Sequence, residues 1–287
     1  IIKKFAKKDP RIIYFSHANI GLTASLNKGL LVAKGEWVAR IDSDDFACKE
    51  RLEKQIIYAK KYKLALVGCQ SYSINSEGKI ENFLSIPNDH NKLCSNLKRQ
   101  KIMFKHSSVL FKKKLVLELG GYRECMLKSQ DYDLWLRISE KSKIGCICYI
   151  GTHIRVHSNN ISFNDGGNKQ RIFAHCANIS HLIRVKYGKK FDPLLSSESS
   201  LNTVFIEFVK NKLIISRTIL FYEFLFKFKK QTKGKNKFSK LISLFIYFNK
   251  PDLLIKLIKW KTTGDFISQK LAKDWLRYKN YDDLFDI

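Results

Sequence analysis

The feature that most restricts this chain is Asp42-Ser43-Asp44-Asp45. It follows Glu36 to Ile41 (EWVARI), whose alternation reads as a strand, and precedes Lys49 to Tyr62, which reads as a helix. Three carboxylates therefore converge where a strand ends. Like charges so close destabilise one another unless a cation neutralises them. Oxygen donors of this kind suit Mg2+ or Mn2+, which keep several waters and take further oxygens from a diphosphate. The alternative is local, with Asp45 capping the helix and the other two acids solvated. An EF-hand loop is disfavoured, because the DxDxDG pattern and its later Glu are not in place.

The elements around this turn alternate. Arg11 to Phe15 reads as a strand entered from the amphipathic IIKKFAKKDP. Gly21 to Lys34 places Leu22, Leu26, Leu30 and Ala33 at helical spacing, and Gly35 fits the left-handed position that ends a helix. This order predicts an α/β fold: a mostly parallel, Rossmann-like sheet flanked by helices, with ligand sites at the carboxyl ends of strands. Leu64 to Asn75, with Ser76, Glu77 and Gly78 after it, predicts a strand entering a hairpin. Asp89 to Arg99 predicts a helix, Lys105 to Phe111 a strand, and Lys112 to Leu119 a short helix closed by Gly120-Gly121. Ser129 to Lys141 predicts an N-capped helix with Leu134, Leu136 and Ile138 turned inward, and Ile144 to Ile150 a further strand.

Phe163 to Tyr187 is helical in character, and Gly188 to Ser200, with Pro193 and a serine cluster, is the candidate linker. Beyond it, Leu201 to Phe228 and Lys240 to Trp260 are aromatic, aliphatic and basic, with no strand signal. The division predicted is an α/β domain over residues 1–189 and a basic, all-helical extension over 190–287.

Composition narrows the class. The net charge of +27 admits nucleic acid, an anionic membrane surface or a lysine-rich background as explanations. The basic residues are spread along the chain and no nucleic-acid motif accompanies them, so no nucleic-acid partner is expected. No run of about 18 apolar residues exists. The longest candidates, Leu213 to Phe228 and Leu241 to Phe248, are interrupted by Arg217, Glu223 and Lys227 or are too short. Seven scattered cysteines without a CxxC pair or a secretory leader read as reduced thiols of a cytosolic protein.

A second acidic group, Gln130-Asp131-Tyr132-Asp133, opens a helix, where a carboxylate serves either as a cap or as a general base within reach of a hydroxyl. Together with the first group it completes an ordered series. DPRI (Asp9 to Ile12) and NIGLTASLNKGLLVAKGEWVARIDSDD (Asn19 to Asp45) are followed by HSSVLFKK (His106 to Lys113) and GGYRE (Gly120 to Glu124). QDYDLWLR (Gln130 to Arg137) and IRVHSNNIS (Ile154 to Ser162) end it. Over Asp9 to about Ser162 the chain resembles the family 2 glycosyltransferases, enzymes of the GT-A fold that use nucleotide sugars.

The resemblance implies that the acidic turn holds a divalent cation, Mn2+ or Mg2+, and the donor's ribose and diphosphate. Asp42 would lie near the ribose, Asp44 on the metal with Asp42 beside it, and Asp45 in the same pocket. Asn19 and Gly21 would sit in the loop beside the nucleotide. Asp131 matches the acid that acts as base on the acceptor hydroxyl; Gln130 stands where the family often has Glu. Asn27 reads as a helix-packing residue. His106 and His157 are candidates to touch ligand or metal. The family's first strand and nucleobase-binding segment have no counterpart ahead of Ile1, so the domain reads as amino-terminally truncated.

The function implied is inverting transfer of a sugar from a nucleotide-sugar donor, UDP-linked, to a glycan or lipid-linked acceptor in cell-surface polysaccharide biosynthesis. It would take place on the cytoplasmic side, with peripheral contact between the basic helices and anionic lipid. Two rivals are a sugar-phosphate nucleotidyltransferase, in which Asp131 would have no role, and an inactive GT-A domain serving as a glycan or membrane binding protein.

Overall fold

The computed structural model describes residues 1–101, 103–157, 160, 168–195, 200–213 and 264–279. Its helices are α1 (Ile2–Ala6), α2 (Leu22–Val32), α3 (Arg51–Lys61), α4 (His90–Lys98), α5 (Lys113–Glu118), α6 (Gln130–Ser139), α7 (Asn168–Tyr187), α8 (200–213) and α9 (Gly264–Tyr278). Its strands are β1 (Trp37–Ala39), β2 (Phe46–Ala47), β3 (Leu66–Ile74), β4 (Ile80–Leu84), β5 (Leu110–Lys112) and β6 (Ile144–Arg155). They form one sheet in the order β1-β5-β3-β6-β2, with β4 added to β3.

The α/β class is as expected, but the sheet is mixed rather than mostly parallel. Among the described strands only β3 and β6 run parallel, while β1–β5, β3–β5, β3–β4 and β2–β6 are antiparallel. The hairpin turn Asn75 to Gly78 reverses the chain at once, and β2 is a two-residue strand that the sequence did not signal, hung on His153 and Thr152 of β6. The β3–β6 register slips around Gln70, where Cys69 faces Ile147 and Gln70 faces Ile150. β6 thus gains length and carries the chain to the acidic turn.

The core explains the pairing. Leu66 and Val67 on β3 and Ile144 and Cys146 on β6 are buried, and α6 lays Leu134, Trp135, Leu136 and Ile138 against the sheet. Gly68 is required by this closeness, since a Cβ there would meet Phe104 Cδ1 at 2.1 Å. α3 inverts the usual amphipathic logic. Arg51, Gln55 and Ala59 form its buried stripe, while Leu52 and Ile57 face solvent. The polar pair is turned inward because it donates to the carbonyls of Arg40, Val67, Ser108 and Val109.

Other expectations are corrected. Residues 11–15 form no strand; Ile12, Ile13, Tyr14 and Phe15 are 37% to 57% exposed, and without a partner strand β-propensity alone does not order a backbone. Gly35 is not left-handed, because α2 ends earlier, with Ala33 already extended at φ −58°, ψ 130°. The strand expected from Lys105 begins as a 3-10 turn over His106–Ser108, where the Ser108 hydroxyl and N–H both donate to Lys105 O. Ser129 does not cap α6 with its side chain; it is left-handed (φ 54°) and its hydroxyl donates to Gln170 O. The segment expected as a linker is packed over 188–195, with Asp192 and Leu194 buried.

Described helices beyond residue 190 join the same hydrophobic cluster as the sheet. Phe205, Val209 and Leu213 of α8 and Leu271, Trp275 and Leu276 of α9 lie in one cluster with Trp135 and with Ile179 and Ile183 of α7. No described helix is long and apolar enough to cross a membrane. Leu241 to Phe248, Lys240 to Trp260, the part of Leu213 to Phe228 beyond residue 213, and the start of the helix expected from Phe163 lie outside the described residues.

Candidate active site

Each carboxylate of the acidic turn already has a partner. β1 delivers Arg40 two residues ahead of Asp42, on the same side of an extended chain. The two terminal nitrogens of the Arg40 guanidinium pair end-on with the two oxygens of Asp42. Ser107, in the 3-10 turn, closes the arrangement. Its Oγ accepts from Arg40 Nη1 at 2.9 Å and from the Asp42 N–H at 3.0 Å, and donates to Asp42 Oδ2 at 3.0 Å.

Asp44 turns the other way, with Oδ2 3.1 Å from His157 Nε2, and both side chains are about one third exposed. Asp45 Oδ1 accepts the Arg155 N–H at 2.8 Å. Burial pushes the Asp45 carboxyl up, assisted by the charges of Asp44 and Asp42, against hydrogen bonds from Ser107 and the Arg155 N–H. The Arg155 side chain donates to Asp44 O at 3.2 Å and to Asn75 O at 2.8 Å and Ser76 O at 2.6 Å. It thereby ties the acidic turn to the tip of the β3–β4 hairpin.

Behind the turn, Arg51 Nη2 donates to Arg40 O and Val109 O, both at 3.0 Å, and Arg51 Nε to Gln55 Oε1 at 2.9 Å. Gln55 Nε2 in turn donates to Val67 O and Ser108 O. The end of β1, the 3-10 turn and β3 are therefore stapled by two buried side chains of α3, and the acidic turn stands on a rigid base.

A second acidic group, on α6, lies within the field of Arg40. Asp131, in its first turn, is half-buried, and its Oδ1 accepts the Tyr132 N–H at 2.8 Å. Burial pushes its carboxyl up, while the Tyr132 N–H and the cations Arg40 and Lys105 pull it back. Next to it, the Tyr122 hydroxyl lies 2.9 Å from His106 Nε2. Burial and the Asp131 charge raise the Tyr122 phenol, which stays protonated, and burial and Arg40 push His106 well below its ordinary value. A neutral imidazole thus shares a hydrogen bond with the phenol, with its ring edge-on to Trp135 at 5.8 Å. Asn27 fixes this loop by bonding both the N–H and the C=O of Tyr122 at 2.8 Å, and so packs α2 as expected.

Asp133, two residues on, does different work. It is fully buried between Arg123 (3.3 Å) and Arg137 (2.7 Å), and Arg123 also binds Asp192. Arg184 of α7 joins Asp192 to Glu140, which lies 2.6 Å from His181. Arg123 of GGYRE and Asp133 and Arg137 of QDYDLWLR are thus joints between α6, α7 and the loop at Arg123.

Of the residues singled out in the sequence, Asp42, Asp44, Asp45 and His157 meet at one turn. Asp131 and His106 are brought to that turn only through the charge of Arg40, which acts on both, and His106 also adjoins Ser107 in the 3-10 turn. Asn19 folds on its own loop, with Oδ1 accepting the Gly21 N–H at 3.0 Å; Gly21 has φ 84°, and neither is hydrogen-bonded to the acidic turn among the described residues. Sequence reasoning missed Arg40, Ser107, Tyr122 and Arg155. The signal for Arg40 was its place two residues before Asp42 on a strand.

The fit of a divalent cation can be tested on the donor set. Among the described residues no three His, Cys, Asp or Glu side chains are grouped so as to hold a metal ion. Asp44 and His157 offer an adjacent carboxylate and imidazole open to solvent, a pair that Mn2+ accepts. Asp42 is engaged by Arg40. The residues present fit a cation held by two protein ligands and completed by water and donor oxygens.

Residues 1–119 match the model described as Glycosyl transferase family 2. The "O-antigen biosynthesis glycosyltransferase WbnJ" of Escherichia coli is 36% identical over 138 residues, 48% of this chain and 53% of that protein. The "Amylovoran biosynthesis glycosyltransferase AmsE" of Erwinia amylovora is 34% identical over 139 residues, 48% of this chain and 51% of that one. The chain spans about half the length of the curated relatives it matches. A mannosyltransferase from Pyrobaculum calidifontis, solved with GDP-Man and Mn2+, superposes with a TM-score of 0.47 at 15% identity, covering 95% of this chain and 72% of that one.

Proposed function

We propose that this chain, whose residues 1–119 match the model described as Glycosyl transferase family 2, is an inverting glycosyltransferase. It moves a sugar from a nucleotide-sugar donor, UDP-linked, to a glycan or lipid-linked acceptor in the assembly of a surface polysaccharide. The observation that carries the reading is one buried arginine, Arg40, paired with Asp42 of the acidic turn and acting by its charge on the base-like Asp131.

Asp42 receives the donor's ribose hydroxyls as an oriented acceptor, and Asn19, Gly21 and Asp45 line the nucleotide side. Asp44 and His157 are assigned to the divalent cation, Mn2+ or Mg2+, in place of the Asp42–Asp44 pair that the resemblance implies. When bound there, the cation supplies positive charge against the departing nucleoside diphosphate. Asp131 takes the proton from the acceptor hydroxyl as that oxygen attacks the anomeric carbon, and a carboxyl raised by burial is better matched to that task than an ordinary one. A single displacement of this kind inverts the carbon.

The extension over 190–287 is assigned as a helical lid on the domain over 1–189, a reading supported by the shared cluster of α7, α8 and α9. The seven free cysteines support work in a reducing compartment, on the cytoplasmic side. Calorimetric titration of UDP with and without Mn2+ tests the site. Binding that needs the metal and is lost in Asp44→Ala supports it, and metal-independent binding unchanged in that variant overturns the assignment.

A further inference from the structure

Arg40 is a cation to which the transfer chemistry above gives no part. It is 9% exposed, and a guanidinium removed from water is costly unless its surroundings use the charge. We propose that Arg40 is the positioning residue of this site. It fixes the donor-side carboxylate of Asp42 together with the Ser107 hydroxyl, and lends its charge to the acceptor-side carboxylate of Asp131. The proposal rests on the reading of function given above.

On the donor side the geometry is a closed ring. The arginine fork matches a carboxylate in its own plane, so the end-on pair fixes both oxygens of Asp42 at once. Ser107 takes one hydrogen bond from Arg40, one from the Asp42 N–H, and returns one to Asp42 Oδ2. The Asp42 side chain nevertheless stays 46% exposed. A carboxylate immobilised on one side and open on the other is an oriented acceptor for a hydroxyl. Lysine, a point charge, would neutralise Asp42 without fixing its plane.

On the acceptor side, the groups facing Asp131 come from four places. They are the Tyr132 N–H in α6, the Tyr122 phenol after α5, Lys105 ahead of the 3-10 turn, and Arg40 at the end of β1. Two of these are cations, but Lys105 is exposed and its field is screened by water. Arg40 is buried, and its charge also reaches His106 and Tyr122. One guanidinium therefore acts on side chains of three separate elements besides its own. Arg40 Nε is buried without a hydrogen-bond partner, so Asp42 and Ser107 alone hold the guanidinium among the described residues.

Two readouts on the full chain separate this role from a structural one. The first is the titration of Asp131 by carboxyl 13C NMR, its resonance assigned by loss in Asp131→Asn. The second is UDP affinity in the presence of Mn2+. Arg40→Gln, which removes charge and fork, is expected to move the Asp131 midpoint up by about one pH unit and to weaken UDP about tenfold. Arg40→Lys keeps the charge and loses the fork, so the Asp131 midpoint stays near wild type while UDP still weakens. A folded Arg40→Gln protein with both readouts at wild-type values overturns the proposal. If that variant does not fold, Arg40→Lys decides, and an unchanged UDP affinity or an Asp131 midpoint raised by about a unit overturns it. Failure of the wild-type protein to bind UDP or any other nucleoside diphosphate defeats the reading of function instead, while the Asp131 titration still judges the charge of Arg40.

Discussion

Asp131 and Asp133 lie two residues apart in one helical turn, and replacing each by asparagine should give opposite results. Asp133 is fully buried and holds Arg137 at 2.7 Å and Arg123 at 3.3 Å. Neutralising it leaves two guanidinium groups in the interior with one charge fewer between them, and breaking a buried pair of this kind costs about 3–5 kcal/mol. For a chain of this size that lowers the melting temperature by about 10 °C.

Asp131 is the reverse case. Burial raises its carboxyl, so the folded chain holds the proton more tightly than the unfolded one. The stability this carboxyl contributes therefore falls as pH rises from the ordinary carboxylate range through the raised value. Asp131→Asn removes that penalty and should be at least as stable as wild type at pH 7. As the proposed general base, its loss should cut transfer by about 100-fold or more. Thermal denaturation followed by circular dichroism at pH 7, with turnover measured on the same preparations, checks both variants. Equal destabilisation by the two changes, or an Asp133→Asn protein within about 1 kcal/mol of wild type, would refute the division of labour drawn from the geometry.

Two further outcomes follow from the same contacts. Gly121 has φ 68°, and a Cβ there would meet Asn27 Oδ1 at 2.7 Å, so Gly121→Ala should destabilise by about 1–3 kcal/mol and loosen the Tyr122 loop, read as a lower midpoint in urea. Burial would raise Glu140 and Asp192, but hydrogen bonds from His181 and Arg184 hold Glu140 low, and the charges of Arg123 and Arg184 hold Asp192 low. Their contribution is present above the ordinary carboxylate range and is lost as pH falls through the lowered values. Acid denaturation should be steep below about pH 4 and shallower in Glu140→Gln, and an identical acid limb in that variant would count against the network.

The strand, acidic turn and helix around Asp42 were legible because alternation and i, i+4 spacing are local properties. Asp131 was legible by resemblance alone; nothing in its spacing distinguishes it from Asp133, and only burial between two arginines does. Arg40 is a strand residue in phase with Asp42, but a charge next to a turn reads as solvated until its surroundings are known. Arg51 and Gln55 defeated the hydrophobic pattern for the opposite reason, since their partners are carbonyls contributed by three other segments. Residues 11–15 show the limit of propensity, with every local mark of a strand and no neighbour to pair with among those described.

The cluster that α8 and α9 share with α7 sets the terms on which this architecture can diversify. Ser268 of α9 is buried against His175 of α7 at 3.2 Å, and Trp275 packs edge-on to Phe205 of α8 at 4.8 Å. Exchanging α8 and α9 for the helices of a relative therefore replaces part of the core itself, and the new helices must match α7. Because α7 also carries Ser180 and Arg184, joined to Arg123 and Glu140, a mismatch there would be felt at the helix that presents Asp131. Sequence drift in α8 and α9 would then leave a trace of compensating changes in α7.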